Sequence, residues 1–140
     1  MSLKLSGILS ANVTPFKDNY DLDEAGLRKL IRYQAKPAGI NAIVCNAGAG
    51  EGATLTREER VRCVEIIREE IRQEQHVVAG IEALSTREAI QQTREAKAAG
   101  AAAIMLTPPH VGVLVLVARH RRRLMAHTAP AQPAQRVLFQ

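Results

Sequence analysis

Residues 42–56 read Ala-Ile-Val-Cys-Asn-Ala-Gly-Ala-Gly-Glu-Gly-Ala-Thr-Leu-Thr. The apolar run Ala42-Ile43-Val44-Cys45 is a short strand with no polar alternation. Gly48, Gly50 and Gly52 then form a flexible turn. Thr56, with Glu59 three residues on, is a capping box that opens an amphipathic helix. Strand, glycine turn and helix start in that order mark one unit of a parallel α/β fold. They also put bare backbone N–H groups where a small anion can reach them.

The same alternation extends to both sides. Gly7 to Thr14 is a strand candidate stopped by Pro15. Asp23 to Lys36 is a helix with Leu27, Leu30, Ile31 and Ala35 on one face, ended by Pro37 and Gly39. Val61, Val64, Ile67 and Ile71 give the helix after Thr56 its buried stripe. His76 to Ile81 is a third strand. Ser85 and Glu88 are a second capping box, opening a helix that runs to Ala99 and stops at Gly100. Ala103 to Leu106 is a fourth strand, ended by Pro108 and Pro109. Ala38 to Val44 is echoed by Ala99 to Met105, two strand–helix units later. Continuously apolar strands between helices imply a parallel sheet covered by helices. Units of this size suit either a (β/α)8 barrel or a doubly wound sheet.

Charge divides the chain near residue 110. It has 19 Lys and Arg against 14 Asp and Glu, a net charge of +5. The acids all lie at or before Glu95. The excess comes from Arg119, Arg121, Arg122, Arg123 and Arg136, in a stretch with no acid. The domains expected are therefore a body over 1–110 and an atypical basic tail over 111–140. The tail has three readings: a solvated basic helix, a phosphate-gripping patch, and a segment over 112–136 translated out of frame or truncated, as an acid-free Arg/Ala/Pro/Val-rich stretch suggests. With two Phe, two Tyr and no Trp in the chain, base stacking is disfavoured and nucleic acid is not the expected partner. Leu114 to His127 fits a helix, and Val113 to Val117 fits a strand equally well. Val137-Leu138-Phe139 begins another strand.

Cys45 and Cys63 make no disulfide framework and are expected as buried free thiols, in keeping with a reducing compartment. There is no signal-peptide pattern, and the apolar run Val111 to Ala118 is far shorter than the ~20 residues of a membrane span. Cytoplasm is the expected location, with no membrane contact.

Four places together resemble the dihydrodipicolinate synthase / N-acetylneuraminate lyase family of class I aldolases. These are Val13-Thr14-Pro15-Phe16; Gly50-Glu51 with Thr54-Leu55-Thr56 and Glu58-Glu59-Arg60; Ala79-Gly80-Ile81 before Ser85-Thr86-Arg87-Glu88-Ala89; and Ala98-Ala99-Gly100-Ala101 through Pro108-Pro109. Val137 to Gln140 resembles the start of the fifth strand. The resemblance implies a partial (β/α)8 TIM barrel, about the first four strand–helix units. It implies Schiff-base chemistry on pyruvate or another 2-oxo acid, with no metal and no organic cofactor. It implies substrate-binding positions at Ala11, Gly48, Ala49 and Gly50, the family's two hydroxyl positions falling on Gly48 and Ala49. Its proton-relaying tyrosine position falls on His110. Its lysine belongs to a sixth strand beyond Gln140, so the 140-residue chain is expected to be an inactive fragment. The other function class is a non-catalytic binding module whose basic tail meets nucleic acid or an acidic partner.

Several residues carry two readings each. The three turn glycines either cradle a carboxylate or merely supply the dihedrals of a tight turn. Glu51 either takes part in catalysis or fixes the turn by bonding nearby backbone. His110 is either a general acid/base or plain surface, and His120 with His127 is weak evidence for a metal. A half barrel with open edges at its first and fourth strands is expected to self-associate.

Overall fold

In a computed structural model, residues 3, 5–107 and 136–138 are described. The order is β1 (Ile8–Ala11), α1 (Glu24–Ala35), β2 (Ile40–Cys45), a 3-10 turn (Gly48–Gly50), α2 (Arg57–Glu70), β3 (His76–Glu82), α3 (Thr86–Ala98), β4 (Ala103–Thr107) and β5 (Arg136–Leu138). The strands lie in the sheet in chain order, β1 to β5. The first four are parallel.

Packing decides between the two architectures that the sequence left open. Ile31 of α1, Ile66 and Ile67 of α2 and Ala96 of α3 share one core with Ile43, Val77, Ile81 and Ile104 of the sheet. The opposite face carries small residues, Ala42, Val44, Val78 and Ala103, with Leu3, Leu5, Leu9 and Met105 against them. Helices on one face only, over strands in sequential order, are a barrel wall. A doubly wound sheet would reverse its strand order and place helices on both faces.

Local signals set the helix ends. Asp23 caps α1 by accepting from Gly26 N. Thr56 and Glu59 form the full capping box on α2. The second box is only half formed: Ser85 accepts from Glu88 N, while the Glu88 carboxylate accepts from Leu84 N instead of Ser85 N. At the other end of α3, Ala101 N donates to Ala96 O and Gly100 N to Lys97 O, with Gly100 at φ +103. This Schellman stop turns the chain into β4. Gly39 (φ +90) turns it into β2, which accounts for the internal echo.

Three expectations need correction. The first strand is shorter than Gly7 to Thr14, because Asn12 and Thr14 leave the sheet as buried polar groups. The buried face of α2 is wider than the stripe: Cys63 and Ile66 are fully buried and Val61 only partly, since α2 packs against α1 and α3 as well as the sheet. Residues 136–138 do form a strand, but it runs antiparallel to β4. It is therefore not the fifth strand of a parallel barrel, and it covers the β4 edge at Ala103–Met105. Pro108, Pro109 and the two candidate tail elements after residue 110 lie outside the described residues.

Two polar devices tie the layer together. Gln75, 1% exposed, donates through Nε2 to Ala35 O (3.0 Å) and Ile40 O (2.8 Å), and its Oε1 accepts from Arg72 N (3.0 Å). It pins the end of α1, the start of β2 and the α2–β3 link. Across the α1–α2 seam, Arg28 and Arg32 grip Glu70, and Arg62 grips Glu24. The hydrogen bonds from Arg32 and Arg28 hold the Glu70 carboxyl below its ordinary range, and the bond from Arg62 does the same for Glu24.

Gln75→Leu removes three hydrogen bonds to the backbone, of which only Ala35 O keeps a second donor, Arg72 Nη1, and should destabilise the fold by about 1–3 kcal/mol. Urea unfolding should show a lower midpoint at unchanged slope, with exposed Glu74→Gln within about 0.5 kcal/mol of the parent. The depressed glutamates contribute stability that is complete above the ordinary glutamate range and is lost as pH falls through their lowered native values. Stability should therefore drop below about pH 5, and Glu70→Gln should flatten that drop in a pH series of unfolding midpoints.

Candidate functional site

Parallel strands bring their C-terminal ends to one rim, and in barrels of this kind that rim carries the chemistry. Here it holds the end of β1 at Ala11, the β2 turn from Asn46 to Leu55, the end of β3 at Glu82 and the end of β4 at Thr107. Ala11 pairs with Val44 in register, and its carbonyl accepts from Gln34 Nε2 at 3.0 Å.

The glycine turn has a definite build. Asn46 leaves β2 in the left-handed region (φ 53), and Glu51 does so again at the exit (φ 54). Between them Gly50 N donates to Ala47 O (2.8 Å) and Glu51 N to Gly48 O (3.2 Å). The Thr14 hydroxyl donates to Gly50 O (2.7 Å), tying the chain after β1 to the turn. Asn46 Nδ2 donates to Arg60 O (2.9 Å), tying the turn to the first turn of α2. The Thr54 hydroxyl is spent on Glu51 O (2.9 Å).

Neither reading of the turn glycines describes all three. None of Gly48, Gly50 and Gly52 has a positive φ; Asn46 and Glu51, which are not glycines, take the left-handed conformations. Gly52 is required by close approach, because a Cβ there would run into the Asn46 carbonyl. Gly80 of β3 is required for the same reason. Gly48 faces open space, with nothing within 4 Å of a Cβ placed on it. Glu51 shapes the turn through its own left-handed backbone.

What remains for a ligand is backbone. Gly48 and Ala49 are exposed. Their N–H groups open the 3-10 turn, where no carbonyl of the turn can take them, and they make no backbone hydrogen bond among the described residues. Gly50, the third glycine-turn position, is buried and its N–H is committed. The substrate-binding positions expected from the sequence thus fall together on one rim, two of them with available donors. Sequence reading passed over Asn12, Thr14 and Asn46, all buried polar residues at this rim. The signal was there: each is polar at the end of an apolar strand.

Cys45 and Cys63 are buried free thiols. Burial pushes Cys45 far up and Cys63 up to about 12, so neither is a thiolate nucleophile at neutral pH. Among the described residues no three His, Cys, Asp or Glu side chains converge to hold a metal. No described helix is long and apolar enough to cross a membrane. His110, His120 and His127 lie outside the described residues.

Strand order and one-sided helices, with the turn on the C-terminal rim, define the N-terminal part of a TIM barrel. The chain belongs to the dihydrodipicolinate synthetase family, whose model matches residues 4–114. A 4-hydroxy-tetrahydrodipicolinate synthase of Chloroherpeton thalassium is 40% identical over 107 residues, covering 76% of this chain and 35% of that one. Among solved structures, a dihydrodipicolinate synthase of Bacillus anthracis superposes with a TM-score of 0.67 at 34% identity, over 74% of this chain and 35% of that one. A Clostridium difficile protein, CdNal, solved in complex with mannosamine, gives a TM-score of 0.70 at 25% identity, over 76% and 37% of the two chains. The chain spans about a third of the length of these relatives.

The turn geometry makes a pair of opposite outcomes. Gly80→Ala forces the β2 turn off β3 and should cost about 3 kcal/mol or more. Gly48→Ala meets open space at an ordinary φ and should leave stability unchanged or raise it by about 0.4–1 kcal/mol. Thermal unfolding of the two variants beside the parent checks both.

Proposed function

We propose that this chain supplies the carboxylate-binding half of a lyase or aldolase site for pyruvate or another 2-oxo acid. The observation that carries the reading is the exposed pair of amides at Gly48 and Ala49, beside the end of β1 at Ala11, in a member of this family. A carboxylate there accepts two N–H bonds, each strengthened by its charge. Because Gly48 and Ala49 carry no hydroxyl, the backbone alone makes these contacts.

The family's chemistry requires a lysine amine to attack the 2-oxo carbon and expel water as the imine forms. That amine must be desolvated to be neutral and nucleophilic near pH 7. Lys17, Lys29, Lys36 and Lys97 are all exposed, and the last three ride on helices or their ends. Lys4 lies outside the described residues. On this reading the 140-residue chain binds a 2-oxo acid without forming the imine, and turnover belongs to a protein carrying the later strands, with His110 at the tyrosine position. The two buried thiols support a reducing compartment such as the cytoplasm. The edge of β1, with Ile8 57% exposed, supports association with a second copy of the chain.

Saturating pyruvate should shift the Gly48 and Ala49 amide resonances, and Ala11 less. Unmoved amides would sink the carboxylate reading. Borohydride added with pyruvate should leave the intact mass unchanged, whereas an adduct on one lysine would show that the chain is itself a Schiff-base enzyme.

A further inference from the structure

A small cavity lies beneath the glycine turn, between α2, α3 and β3. It measures ≈ 10 Å³ for the centre of a water-sized sphere and is lined by Asn46, Arg60, Gly80, Gln92 and Glu95, among others. Two of these side chains bring an unsatisfied acceptor. Asn46 and Gln92 are 3% and 4% exposed. No donor among the described residues reaches Asn46 Oδ1 or Gln92 Oε1.

The amide orientations are set by their other ends. Asn46 Nδ2 donates to Arg60 O. Gln92 Nε2 donates to Glu82 O (3.2 Å) and Glu88 Oε1 (3.0 Å). Flipping either amide would put oxygen against oxygen, so in both residues it is the oxygen that lacks a partner. The charged neighbours are engaged elsewhere: Arg60 Nη1 donates to Leu55 O (2.7 Å), and Glu95 Oε1 accepts from Arg57 (2.8 Å). Two buried acceptors call for a neutral ligand with two donors. A buried acceptor left unpaired would cost about 1–3 kcal/mol, and a cavity of this size holds one water.

We propose that a single structural water binds here, donating one hydrogen to Asn46 Oδ1 and the other to Gln92 Oε1. It joins α3 to Asn46, the left-handed residue that launches the glycine turn. The turn is then positioned from three sides: by the Thr14 hydroxyl, by Arg60 O and by the water.

The test is a crystal structure of the full chain at a resolution that shows ordered solvent, paired with water-to-protein cross-relaxation in NMR. The expected result is a peak about 2.7–3.2 Å from both oxygens, and long-lived water contacts to the Gln92 side-chain amide hydrogens. Ala96 also lines the cavity, and Ala96→Val pushes methyl groups into it. That variant should abolish both signals. It should also raise the unfolding constant about tenfold more than Ala98→Val, an exposed control on the same helix. A dry cavity, amide oxygens turned onto protein donors, or a peak at metal-ion distance would each overturn the proposal. So would an Ala96→Val variant that keeps both water signals, because its added methyl groups take the space the water needs.

Discussion

The Asn46 carbonyl occupies the space that a Cβ on either Gly52 or Gly80 would need. This crossing lets the chain fold back over the end of β3 as soon as β2 ends. With any side chain at residue 80 the turn would lift from the sheet. The bond from Thr14 to Gly50 O would then stretch, and the Gly48 and Ala49 amides would leave the rim. Asn46 makes the crossing possible by taking a left-handed conformation, which asparagine tolerates better than most residues, and by anchoring its amide on Arg60 O. The bond to Arg60 O and the buried environment together hold a backbone that would otherwise be strained.

Stability and site draw on opposite faces of the sheet. The helical face carries large side chains, Ile31, Ile43, Ile66, Ile67 and Val77 among them, all fully buried. Each contributes about 1.5–3 kcal/mol by leaving water. The other face buries alanine and valine, with Leu9 and Met105 packed beside them. The arginine–glutamate seam between α1 and α2 is partly exposed, so each pair adds little; its geometry fixes which helix faces meet. Gln75 does for the lower end of the layer what Asn46 does for the rim: one buried amide bonds backbone groups at the end of α1, after α2 and at the start of β2.

Helix boundaries were legible because their causes are local. Asp23, Thr56 with Glu59, and Ser85 act within four residues, as do Gly39 and Gly100 at the far ends. Strand order rested on the family resemblance, because the alternation alone fits a doubly wound sheet as well. Less was legible where a residue's role depends on something distant. The glycine turn read as a place of free dihedrals, yet Gly52 is needed because Asn46 crosses it and Gly80 because the turn lies over it. Glu88 completed a capping pattern on paper and then bonded Leu84 N, one residue earlier.

The sequence by itself determined the alternation of strand and helix, the caps, the apolar stripes and the rim on which polar residues gather. It also carried the four motifs that match the family. These depend on spacing, side-chain volume and hydrogen bonds that close within a turn. Only the tertiary structure decided that the helices cover one face, that residues 136–138 run antiparallel against β4, and that Asn46 after β2 and Gln92 of α3 line one cavity. Those outcomes turn on contacts between different elements, where the deciding quantity is the space left by groups already packed, and no local pattern encodes that space.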